Sequence, residues 1–170
     1  RGTVTNEHLE FIKAACASDV PEFTGEHFSV SGKVFFPRPV QKPHPPIWVG
    51  GKTDAALRRV ATYGDYWNGI FVSPADVKDR LARLGELCEE RDRDPSEIGA
   101  AISMNMNLTE RTEENGERVA LTGSDEEVVG DLRQYAEAGL DYMILSVTAD
   151  STDRTVELLH HFAEDLVPTL

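Results

Sequence analysis

PPIWVGGKTDAALRRVATYGDYWN, residues 45–68, decides the reading of the whole chain. Two prolines lead into a compact apolar run, Ile47, Trp48 and Val49, which stops at Gly50 and Gly51 and so predicts a buried strand. Thr53 supplies a cap, and Leu57, Val60, Ala61 and Gly64 recur at three- and four-residue spacing, on one face of a predicted helix. A second short run begins at once with Tyr66 and Trp67. The unit is strand, glycine turn, helix, strand. Its turn is where chemistry can enter: two residues without a Cβ let a ligand approach the backbone, and the first amides of the helix point outward without partners. Such an end attracts anions.

Upstream, Leu9, Ile12 and Cys16 carry helical spacing over residues 6–17, in a helix that ends before Pro21. His27-Phe28-Ser29-Val30 and Lys33-Val34-Phe35-Phe36 flank Ser31-Gly32, which predicts two short strands joined by a tight turn. Pro37, Pro39, Pro43, Pro45 and Pro46 then place five of the nine prolines within ten residues, a stiff extended connector. Residues 18–46 read as a hairpin and proline-rich insertion within a single domain spanning 1–170.

Downstream, Ser73-Pro74 with Asp76 is a helix start, continued by Val77, Leu81, Leu84 and Cys88 and stopped at Asp94-Pro95. From Ile98 to Leu108 apolar residues alternate with small and polar ones, the period of a strand. Thr109 to Asn115 reads as a polar, mobile loop. Ser124 and Glu127 form a capping box for a helix lined by Val128, Leu132, Tyr135 and Ala136, which Gly139 ends. Tyr142 to Val147 is a strand, and a last helix begins near Ser151 or Thr152.

Four strand-helix units in a row imply a parallel sheet with right-handed crossovers, either open and doubly wound or part of a (β/α)8 barrel. With 170 residues the chain is shorter than the ~250 of a typical complete barrel. Lysine plus arginine is 17 against 30 for aspartate plus glutamate, a net charge of −13 that excludes nucleic-acid and anionic-membrane partners. No apolar run is long enough to span a membrane and none near the start resembles a signal peptide, so a cytoplasmic protein is expected. Cys16 and Cys88 are isolated on apolar faces and read as core residues.

The proline-rich PRPVQKPHPPIWVGG of Pro37 to Gly51, followed by the Thr-capped helix and Gly64-Asp65-Tyr66-Trp67-Asn68, resembles the second half of the luciferase-like flavin and deazaflavin oxidoreductases. Ala138-Gly139-Leu140-Asp141 is similar to a later pattern of that family. The resemblance implies the C-terminal half of a (β/α)8 TIM-type barrel: four βα units, preceded by a helix and a short hairpin excursion. Ile47–Val49, Tyr66–Ile70, Ile98–Leu108 and Tyr142–Val147 would be strands five to eight. It leaves no counterpart of strands one to four. Residue 1 is Arg rather than Met, and the expectation is a chain carrying half of a site.

By position, the resemblance assigns Val49, Gly50, Gly51 and Thr53 to the phosphate of a deazaflavin (coenzyme F420) or FMN. The residues themselves agree, since a double glycine and a hydroxyl cap offer donors at a positive helix end, although an ordinary strand-to-helix turn has the same look. Trp48 and Trp67 read as core between sheet and helices. Asn105 and Asn107 are candidate ligand contacts on the polar face of their strand. Asp150, Asp153 and Arg154 are explained by helix capping, and the adjacent His160 and His161 point apart, as surface residues that build no metal pair. The expected function is hydride transfer to or from a small organic substrate by a deazaflavin-dependent oxidoreductase. An FMN-dependent monooxygenase is the alternative within enzymes. A non-catalytic half-barrel that self-associates is the alternative from another class, and a homo-oligomer is expected because torn strand edges and an apolar inner face favour association.

Overall fold

A computed structural model describes residues 2–147 and 149–170. The first helix, α1 (Gly2–Ala17), starts four residues before the periodic pattern does. Behind it lies a two-stranded antiparallel hairpin, β1 (Phe23–Thr24) with β2 (Ser29–Val30). This corrects the expected hairpin: Ser29-Val30 pairs backward with Phe23-Thr24, and Lys33 to Phe36 forms no strand. The pairing is decided from α1, where the Glu7 carboxylate accepts the amides of His27 and Phe28 at 3.0–3.1 Å. Phe11 holds the rings of Phe23 and Phe28 edge-on, both at 5.6 Å. From Ser31 to Ile47 the chain forms neither helix nor strand, as the proline density requires.

The remaining elements are β3 (Trp48–Gly50), α2 (Asp54–Tyr63), β4 (Tyr66–Ile70), α3 (Pro74–Glu89), β5 (Gly99–Met106), the short β6 (Glu113–Glu114) and β7 (Glu117–Arg118), α4 (Asp125–Glu137), β8 (Tyr142–Val147) and α5 (Thr152–His161). The order β3-β4-β5-β8 is parallel throughout, and the sheet does not close on itself. Local signals set these boundaries. Thr53, Ser73 and Ser124 cap their helices, with the reciprocal capping box of Ser124 and Glu127 complete. β5 stops before Asn107, because the Asn107 side chain folds over to accept the amides of Thr109 and Glu110 at 3.0 and 3.1 Å. The expected mobile loop after it contains the β6–β7 hairpin, turned by Asn115 (φ 54°) and Gly116 (φ 84°). Asn-Gly supplies the two positive φ angles that a tight hairpin turn demands.

Alternation divides the sheet into two faces. Val49, Trp67, Ile102 and Met106 are buried with Leu57, Val77 and Val128 in the core beneath the helices. The other face is open. Register places Trp48 opposite Tyr66 and Tyr66 opposite Gly99. Trp48 stacks on Tyr66 at 4.5 Å, and Tyr142 meets Tyr66 edge-on at 5.6 Å. A Cβ on Gly99 would run into the Tyr66 ring, so glycine is what lets that ring lie across β5. Trp67 is core as expected, but Trp48 is not: it lies on the open face, 40% exposed, with Tyr142 at 54% and Ile144 at 46%.

Candidate functional site

The double glycine sits at the C-terminal end of β3, the end at which parallel α/β folds place their chemistry. Val49 turns its side chain into the core and offers only backbone. Gly50 is exposed, and a Cβ there would meet nothing nearer than Asn68 O at 3.9 Å, which leaves the backbone open to a ligand. Gly51 has φ 123°, a conformation that L side chains rarely adopt. Its N–H donates to Asn68 O at 3.1 Å and its carbonyl accepts the indole N–H of Trp67 at 2.7 Å. Gly51 therefore shapes the turn while its own polar groups are spent.

Thr53 has extended backbone, and its Oγ accepts Ala56 N–H at 3.3 Å while its carbonyl accepts Leu57 N–H at 3.0 Å. The hydroxyl proton and the amides of Asp54 and Ala55 remain as outward donors at the positive end of α2. Asp54 would oppose an anion, but it is countered by Arg83 at 3.2 Å, Arg58 at 3.7 Å and Arg80 at 3.8 Å. Beside this turn, Lys52 and Arg80 line a cavity of about 170 Å³ with Phe71, Val72 and Asp76. The four residues assigned from the sequence thus meet in one turn, with different parts: a core anchor, an open approach, a bend and a cap.

A second cavity, of about 360 Å³, lies at the same end between Phe71, the end of β5 and the residues that follow the β6–β7 hairpin. Asn105 and Asn107 both line it. Asn107 Oδ1 is consumed by its own turn, which also takes the Thr109 hydroxyl at 2.8 Å, while Asn105 is exposed on the open face. Also on that face, Ser103 Oγ donates to Asn68 Oδ1 at 3.3 Å. Ser151 caps α5 by accepting Arg154 N–H at 3.2 Å, and Arg154 pairs with Glu157 at 2.8 Å, so this segment is occupied in capping.

A larger hollow, about 860 Å³, lies at the opposite end of the strands, lined by His44, Asp65, Tyr66, Gly99, Asp141 and Tyr142 among others. Two of its carboxylates are structural: Asp65 accepts Ile47 N–H and Asp141 accepts Ala100 N–H, both at 2.7 Å, stitching strand starts together. Size alone does not make it the site. Among the described residues no group of three or more His, Cys, Asp or Glu side chains converges as a metal site.

Two clusters escaped the sequence reading. Arg118 makes paired bonds to Asp131 at 2.6 and 2.8 Å, and Asp131 also accepts Leu121 N–H at 2.7 Å, fastening the β6–β7 hairpin to α4. His161 bridges Asp165 at 2.7 Å and Asp125 at 2.9 Å, and these two bonds raise its pKa above the ordinary histidine value. The bonds from Arg118 to Asp131 and from His161 to Asp125 join residues 13 and 36 positions apart, for which local spacing carries no mark.

The model of the luciferase-like monooxygenase family matches residues 1–115. Among solved structures, an F420-dependent secondary alcohol dehydrogenase in complex with an F420-acetone adduct is 15% identical with a TM-score of 0.78, over 98% of this chain and 61% of its own. A coenzyme F420 dependent tetrahydromethanopterin reductase from Methanopyrus kandleri is 13% identical with a TM-score of 0.80, over 99% of this chain and 63% of its own. Monooxygenase RslO1 from Streptomyces bottropensis is 19% identical with a TM-score of 0.72, over 96% and 60%. At these identities the likeness establishes the fold. The chain spans about three fifths of the length of the structures it matches.

Proposed function

The chain belongs to the luciferase-like monooxygenase family, and on that premise we propose that it is a deazaflavin-dependent oxidoreductase acting on a small organic substrate. In this reading residues 1–170 are one domain, four βα units forming the C-terminal half of a (β/α)8 barrel, with 18–46 as a hairpin and proline-rich insertion. The observation that carries the reading is the turn from Gly50 to Thr53. It joins an approach free of side chain, open first-turn amides, a hydroxyl and the cations Lys52 and Arg80 at the chemical end of the sheet.

That donor set suits the phosphate-bearing tail of coenzyme F420, which the Gly50-to-Thr53 segment and the amides of Asp54 and Ala55 would hold. When bound, the deazaflavin supplies the hydride chemistry. The chain's part is to orient that group from its tail and to keep charge balanced around it, with Asp54 neutralised by Arg58, Arg80 and Arg83. The preference for the deazaflavin draws on two structural relatives described as F420-dependent.

FMN is the alternative cofactor, served by the same grip; a monooxygenase, RslO1, is among the structural relatives. Parallel fluorescence titrations with coenzyme F420 and FMN separate the two. Saturable perturbation by F420 supports the oxidoreductase; perturbation by FMN alone replaces it with the monooxygenase.

A reading of another class, a non-catalytic half-barrel that self-associates, is favoured by one observation. The open face exposes Trp48, Tyr142 and Ile144, and β3 and β8 are both edge strands. A homo-oligomer is expected under either reading. Sedimentation that finds a dimer or larger supports it, and a compact monomer at micromolar concentration contradicts it.

A further inference from the structure

Phe71 follows β4 at φ 50°, a conformation that is an outlier for a bulky residue, and its ring is 59% exposed. Hydrogen bonds tie the backbone on either side of it. Phe71 N–H donates to Ser103 O at 3.2 Å, and the next carbonyl, Val72 O, accepts the Tyr135 hydroxyl at 2.8 Å. Burial, with Asp131 and Asp76 nearby, pushes the Tyr135 hydroxyl up to about 12, so it remains a donor throughout the neutral range. A strained aromatic held from both sides and left open to solvent is the pattern of a residue kept for contact with a ligand.

The ring is a wall shared by two cavities of opposite character. On one side are Lys52, Arg80 and Asp76. On the other, no charged residue among the described residues lines the space: Met104, Met106, Val119 and Ala120 give it apolar surface, and Thr112 and Asn105 are polar and neutral. Thr122 Oγ is spent on Val119 O at 2.8 Å and Thr112 N–H at 3.0 Å. Asn107 Oδ1 is spent on its own turn. The Asn105 amide has no protein partner among the described residues.

We propose that Phe71 partitions the mouth into a charged compartment and a neutral one, and that the neutral compartment of about 360 Å³ takes an uncharged organic substrate whose carbonyl accepts from the Asn105 amide. A carboxylate or phosphate is disfavoured there, because the described lining offers no cation to offset the loss of its hydration. The methionines let the compartment adapt to different apolar shapes. Phe71 and Asn105 are thus specificity-determining residues. The inference rests on the mouth being the reaction site only for the word substrate; the preference for neutral ligands stands on the lining itself.

Saturation-transfer NMR on the whole chain, without cofactor, tests it with cyclohexanone and cyclohexanecarboxylate, two probes that share a ring and differ in charge. Cyclohexanone binds at least tenfold more tightly than the carboxylate. Phe71→Gly weakens cyclohexanone at least fivefold while the thermal midpoint stays level or rises, since glycine relieves the positive φ. Asn105→Leu weakens it to a similar degree. Equal or tighter binding of the carboxylate, unchanged affinity in Phe71→Gly, or no binding of either probe overturns the proposal. Failure of F420 and FMN to bind, with cyclohexanone still bound, would remove the cofactor reading and leave this one in place.

Discussion

The indole N–H of Trp67 donates to the carbonyl oxygen of Gly51 at 2.7 Å, so the second residue of β4 fixes the turn at the end of β3. Trp67 is fully buried, and its ring belongs to the core cluster beneath the helices. Trp67→Phe would orphan that carbonyl and leave a small void, at a combined cost of about 2–3 kcal/mol. Urea denaturation reads this as a lower midpoint with an unchanged slope.

Gly50 and Gly51 respond differently to the same added methyl group. Gly51→Ala must hold a side chain at φ 123° with its Cβ 3.0 Å from that of Ala56, which costs about 1–3 kcal/mol. Gly50→Ala meets nothing nearer than Asn68 O at 3.9 Å and changes stability by no more than ~0.5 kcal/mol, yet it places a Cβ where the proposed cofactor would approach. Chemical denaturation should therefore single out Gly51→Ala. Cofactor titration should show weakened binding in Gly50→Ala despite its intact fold.

Asp131 receives three hydrogen bonds, two from Arg118 and one from Leu121 N–H, and its side chain is buried. Asp131→Ala removes the paired bonds from Arg118, which keeps Glu127 at 3.6 Å and Thr122 O at 2.8 Å, and leaves Leu121 N–H unbonded, at a cost of about 2–3 kcal/mol. Because Arg118 is the link from the β6–β7 hairpin to α4, hydrogen exchange should speed up in residues 113–122 before it does in the sheet.

His161 sets a pH dependence. Its folded pKa is raised, first by Asp165 and then by Asp125, so its contribution is complete below the unfolded value of ~6.5 and is lost as pH rises through the folded value. Protection of the junction between α5 and the start of α4 should fall from pH 6 toward pH 8. His161→Ala should flatten that dependence. A junction equally protected at both pH values in the natural chain would contradict the assignment.

What was legible in the sequence was what local chemistry dictates. Thr53, Ser73-Pro74 and the Ser124–Glu127 box start helices through bonds within one turn, so each boundary could be read from a few letters. The alternation from Ile98 onward gave the two faces of β5 for the same reason. The hairpin was misplaced because Ser31-Gly32 has the look of a turn, whereas Glu7 and Phe11 decide the pairing from a helix a score of residues away. Asn115-Gly116 was a sufficient signal, obscured by the charged residues around it. Trp48 is misread as core from the sequence because a three-residue strand is too short to show which face is covered.

The candidate site divided in the same way. The Gly50-to-Thr53 segment is legible as a turn and a helix cap because glycine and a capping hydroxyl are local signals. The positive φ of Phe71, its anchoring through Ser103 and Tyr135, and the bond from Trp67 all depend on strands meeting side by side, which spacing does not encode.

The central claim is that the turn after β3 grips the phosphate of a deazaflavin. Its most direct test is the affinity of the chain for coenzyme F420 against that for the deazaflavin core lacking the phosphate tail, by fluorescence titration. The account predicts at least tenfold tighter binding of F420, about 1.4 kcal/mol, with the ratio abolished by Gly50→Asp and reduced by Lys52→Ala. Equal affinities for the two compounds, or a ratio that Gly50→Asp leaves untouched in a folded chain, would contradict it.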